Sequence, residues 1–155
     1  MSSIDRILSR TAAAGIITAG MLGGIAVAPA QATIQDCTTY NFVSIPYNKS
    51  GTQKDTVDLG GERKVQLLVS TVSGASGDHG FAKISGKTKR GDLVWMDWST
   101  TGGNGHIQCG PFTVQGDGLP NTSAAKKVNY SDSRYVFRAC GRIVGGETKC
   151  TSPWW

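Results

Sequence analysis

The sequence predicts an all-β fold, a small antiparallel sandwich or barrel with two disulfides. Three observations carry that expectation. Short runs rich in Val, Ile, Thr and aromatic residues recur between Gly, Asn, Asp and Ser turn signals, almost without helical periodicity. All four cysteines, Cys37, Cys109, Cys140 and Cys150, lie beyond residue 32. Residues 33–155 suit a single all-β domain whose modest core gains from covalent staples.

Residues 1–32 read as a secretory signal peptide that is cleaved. Arg6 and Arg10 make a positive start, an apolar stretch runs from Ala12 to Val27, and Ala30 and Ala32 supply the small residues of a peptidase site. The competing reading is a membrane anchor. Gly15, Gly20, Gly23 and Gly24 interrupt the apolar run and argue against a bilayer-spanning helix. There is no Arg-Arg pair, which favours general secretion over the twin-arginine route. The long Ala/Gly-rich leader is similar to those of high-GC Gram-positive bacteria, and the chain resembles small secreted actinobacterial all-β proteins in general character. The resemblance implies an extracellular location and assigns no named family.

An even cysteine count in a secreted chain implies two disulfides. A four-thiolate metal site is the alternative, but no two cysteines have zinc-knuckle spacing, so neither a metal nor a cofactor is expected. Four cysteines allow three pairings, and spacing alone does not choose among them. Local chemistry favours one: a turn centred on Gly145 sets Cys140 and Cys150 opposite each other across a hairpin. Cys37 is then left for Cys109, a long loop worth about 4 kcal/mol on the chain-entropy model.

Strands are expected at 39–45, 56–59, 64–72, 80–85, 92–99, 106–114, 134–143 and 147–151. In the third, Val65, Leu67 and Val69 share one face, while Leu68 on the other needs a loop or a partner to cover it. The fifth is apolar on both faces, with Val94, Met96 and Trp98 against Leu93 and Trp95, as expected of a central strand or an interface. Residues 87–91 read as a turn joining two antiparallel strands, and the glycines of 101–105 mark another. The connection 115–133 is long for a small domain and is expected to be functional or mobile, with a short helical turn within 123–128. The immunoglobulin pattern is missing, because neither Trp95 nor Trp98 follows Cys37 at the required spacing.

The formal net charge is +5, with Lys83, Lys87, Lys89 and Arg90 clustered. A contact with an anionic surface competes with a solvated turn whose lysines discourage edge pairing, and the second is favoured. Nucleic acid is not an expected partner, since the cluster is short and lacks interleaved aromatics. Stable membrane insertion is not expected either. Three Asn-x-Ser/Thr triplets start at Asn48, Asn121 and Asn129, and are expected to go unused in a bacterial protein.

Few residues of the sequence suit catalysis. Only His79 and His106 offer histidine bases, and no serine sits in a Gly-x-Ser-x-Gly elbow. Asp97, flanked by Trp95 and Trp98, suits a sugar cleft but has no distinguished second acid. Calcium-loop and phosphate-loop motifs are absent. The candidate binding residues are Trp95, Trp98, Leu119, Trp154 and Trp155, chosen because tryptophan anchors interfaces and sugars alike, and because Leu119 sits in an exposed Gly-Leu-Pro loop. The expected function is therefore a secreted, non-catalytic protein-binding module. It would be an adaptor in an extracellular assembly, such as an antibacterial toxin complex, or a protein inhibitor. Carbohydrate or cell-wall binding is the second expectation, predicting a flat row of Trp95, Trp154 or Trp155. A small secreted hydrolase is the third.

Overall fold

A computed structural model describes residues 34–155; the signal peptide expected over residues 1–32 lies outside them. The described chain begins with a short helix α1 (Ile34–Thr39) and continues as nine strands. These are β1 (Thr52–Gly60), β2 (Arg63–Thr71), β3 (Asp78–Gly86), β4 (Leu93–Ser99), β5 (Ile107–Thr113), β6 (Asn121–Thr122), β7 (Lys126–Lys127), β8 (Val136–Arg142) and β9 (Thr148–Cys150). One antiparallel sheet runs β1-β2-β3-β6, with β7 also on β3; the other runs β5-β4-β8-β9.

Period-two alternation decides what lies between the sheets. Val65 and Leu67 of β2, with Ala82 and Ile84 of β3, meet Val94 and Met96 of β4 and Phe137 and Ala139 of β8, all fully buried. Burying a side chain such as Leu67 or Phe137 is worth about 1.5–3 kcal/mol. β4 lies between β5 and β8, the central place its two apolar faces call for. Leu68 is covered by its own chain: with Phe81, Val72 and Ala125 it forms a second cluster on the outer face, roofed by Val43 and Ile45.

Both disulfides are present. Cys140 and Cys150 are directly opposed in the β8–β9 register, and Gly145 turns the hairpin at φ 73°. Cys37–Cys109 fastens α1 to β5. Two disulfides fit an oxidising environment. No helix among the described residues is long and apolar enough to cross a membrane.

Several expectations are corrected. No strand occupies 39–45: α1 ends there, Asn41 adopts φ 58°, and only Val43 pairs, in an isolated bridge to Ala125. The disulfide at Cys37 and the inward turn of Phe42 impose this shape locally. β1 starts at Thr52, earlier than expected, because an exposed edge strand carries no apolar alternation to announce it. Residues 87–91 do not close a hairpin; β3 and β4 belong to different sheets, so this turn crosses the sandwich. Within 123–128 there is no helical turn. Instead β6 and β7 close the free edge of β3 in two pieces, with Ser123 bonded to Ala82 between them.

Candidate functional site: a three-loop tip

Three loops meet at the end of the sandwich where β3 and β8 finish and β4 begins. Their hub is Asp92, fully buried. Its Oδ2 accepts the Lys89 N–H at 2.8 Å, its Oδ1 accepts the Val144 N–H at 2.9 Å, and the Arg63 guanidinium supplies the countercharge at 3.3 Å. A buried carboxylate is tolerable only when paired and hydrogen-bonded in this way. One side chain thus fixes the β3–β4 crossing to the β8–β9 turn.

The third loop, 115–120, is tied to the first by a ladder. The Thr88 hydroxyl donates to the Leu119 carbonyl at 2.7 Å, and the Gly118 N–H donates to the Thr88 carbonyl at 2.8 Å. Asp117 accepts the Arg90 N–H at 3.0 Å and the Lys89 ammonium at 2.9 Å, while Arg90 Nε donates to the Gln115 carbonyl at 2.8 Å. The Arg90 N–H, followed by the Lys89 side chain, holds the Asp117 carboxyl below its ordinary value. On this frame stand two apolar side chains in solvent, Leu119 at 45% and Val144 at 63% exposure. Val144 lies against Gly91, so the β3–β4 crossing sits between them and places Lys89 and Arg90 there.

The tryptophans have other duties. Trp95 is buried on the outer face of β4. Trp98 is half-buried among Tyr40, Phe42 and Tyr135, with the Lys126 ammonium 4.4 Å from its ring. Burial among these rings lowers the Lys126 pKa. Trp155 stacks on Phe137 and exchanges two backbone hydrogen bonds with it, extending the edge of β8. Trp154 covers the Arg138 guanidinium at 4.5 Å and meets His106 at 5.6 Å, pressed so closely on Gly103 (φ 96°) that a Cβ there would strike the indole. The flat row expected of a sugar platform is therefore not formed.

Beneath Trp154 lies a second polar cluster. Asp97, buried, accepts Arg138 Nε and Nη2 at 3.1 and 2.5 Å on Oδ2, with His106 Nε2 at 3.6 Å. Its partner is an arginine facing it on β8. Cys140 and Cys150 come close to Asp97, but their sulfurs are joined to each other and are not thiolate ligands. Among the described residues no hydroxyl hydrogen-bonds either histidine: His79 is buried and its Nδ1–H donates to the Gly77 carbonyl. Ser99, near His106 in the chain, donates to Gly105 and accepts from the Thr101 and Gly103 amides, which shapes a turn instead of arming a nucleophile.

Of the sequence candidates, only Leu119 stands on the tip. The basic cluster divides: Lys89 and Arg90 belong to it, Lys87 pairs with Glu62, and Lys83 turns away to the Asn48 and Lys49 carbonyls. Asp92, Thr88 and Val144 were missed. The signal available for Asp92 was an acid directly before an apolar strand; Val144 had only its place beside a turn glycine. No family model, curated protein or solved structure matches the chain.

Proposed function

We propose that the protein is a secreted, non-catalytic protein-binding module, an adaptor or inhibitor, that engages its partner through the three-loop tip. One observation carries this reading: Leu119 is an exposed apolar side chain on a loop already locked in place by hydrogen bonds. A preorganised loop loses little entropy on binding, so more of the contact energy is kept as affinity. Apolar Leu119 and Val144 flanking cationic Lys89 and Arg90 supply the mixed character of a protein-recognition surface, with apolar anchors on either side and charge between them for orientation. Asp92 keeps the β3–β4 crossing and the β8–β9 turn in register, and Thr88 and Asp117 tie the third loop to the crossing, before any partner arrives.

Affinity capture from a culture secreting the protein, read by mass spectrometry, tests this. The unaltered chain is expected to retain a stoichiometric protein partner, and Leu119→Asp to lose it while keeping its circular dichroism spectrum. Equal recovery of the partner by both chains would remove the tip from recognition.

A further inference from the structure

At the opposite end of the sandwich, a groove of about 570 Å³ runs between Thr52 and Lys54 of β1, Ser70 and Thr71 of β2, Asp78 of β3, and Tyr130. That volume lies within the roughly 300–1,000 Å³ of small-ligand sites. Tyr130 forms one wall and is 67% exposed. Its ring is nevertheless held from two sides. The phenol donates to Asp78 Oδ2 at 2.8 Å, and the ring stands edge-on to Trp155 at 6.3 Å and 90°. Trp155 is fixed in turn by Phe137 and by the Lys54 ammonium 5.0 Å from its indole. The hydroxyls of Thr52, Ser70 and Thr71 have no hydrogen-bond partner among the described residues.

Asp78 and Trp155 thus hold the Tyr130 ring in one orientation while most of it remains in solvent at the groove. The groove is lined by one ammonium, one carboxylate and the hydroxyl-bearing residues Thr52, Ser70 and Thr71, a set with both donors and acceptors and no net charge. That combination matches a polyhydroxylated ring, apolar on its C–H faces and hydrogen-bonding around its rim. Anionic ligands fit poorly, because Asp78 faces the same groove as the single lysine. We propose that this groove is a binding site for a neutral saccharide. A pyranose stacks its C–H face on Tyr130, and its hydroxyl groups bond Asp78, Lys54 and the β2 hydroxyls. The site is separate from the tip and does not depend on the tip's function.

The test is an array of neutral oligosaccharides, with sulfated and sialylated glycans as controls, probed with the labelled protein and followed by calorimetry on the glycan bound most strongly. Neutral glycans are expected to bind, with Tyr130→Ala weakening the affinity at least about tenfold, Tyr130→Phe keeping it within about threefold, and Leu119→Asp leaving it unchanged. Binding confined to anionic glycans, no binding at all, or equal affinity for Tyr130→Ala would overturn the assignment. Tyr130 is on the surface, so loss of folding does not confuse the outcome.

Discussion

Replacing Asp92 by alanine removes the hub of the tip, and the cost follows from what is left behind. The Lys89 and Val144 amides lose their acceptor at a fully buried position, and the Arg63 guanidinium, 16% exposed, loses its countercharge. An orphaned buried donor costs about 1–3 kcal/mol. Breaking a buried ion pair by deleting one partner costs about 3–5 kcal/mol. These terms overlap, since all three donors share one carboxylate, and water entering the gap left by the side chain relieves some of them. We expect a destabilisation of about 3–5 kcal/mol for Asp92→Ala, and a smaller one for Asp92→Asn, which keeps an acceptor oxygen. Equilibrium urea unfolding with the disulfides intact measures it, as a fall in midpoint at unchanged slope. A change under about 1 kcal/mol would refute the view that Asp92 is an essential countercharge and not one polar group among many.

Two further outcomes follow from the same physics. Replacing Cys37 and Cys109 together by alanine is expected to cost about 4 kcal/mol and replacing Cys140 and Cys150 about 3 kcal/mol, because the closed loops span 72 and 10 residues; unfolding midpoints that reverse this order would contradict the loop-entropy account. The Asp117 carboxyl is held below its ordinary 3.8 by the Arg90 N–H and the Lys89 ammonium, so its contribution is present above that value and is lost as the pH falls through the lower folded-state value; Asp117→Asn should remove this part of the acid slope of stability, read from denaturation at a series of pH values.

The sheets were legible because alternation is a local property. Val65, Leu67, Val94, Met96 and Phe137 declare their faces within a few residues, and each is buried between the sheets. The Cys140–Cys150 pair was legible for the same reason, since one turn glycine fixes the register. Elements without a pattern of their own were less so: the start of β1 is an exposed edge with no apolar alternation, and β6 and β7 are two-residue strands templated by β3, some forty positions earlier. Tryptophans advertised themselves as binding residues, yet Trp98 and Trp155 serve the fold through Tyr135 and Phe137. Leu119 was legible as an exposed loop residue, but its rigidity was not, because Thr88 lies 31 positions away in sequence. Tyr130 and Asp78 meet over an even longer separation, and neither stands out in its own segment.

The proposed recognition requires a tip that is ordered before it meets a partner. Backbone hydrogen exchange in the free protein tests it most directly, at the amides of Arg90, Gly118 and Val144, which donate to Asp117, Thr88 and Asp92. Slow exchange is expected at all three, with protection approaching that of core amides in β4 and β8. Exchange at the rate of an unstructured chain would show a mobile tip, and would contradict both the role of Asp92 and the preorganisation on which the proposed recognition rests.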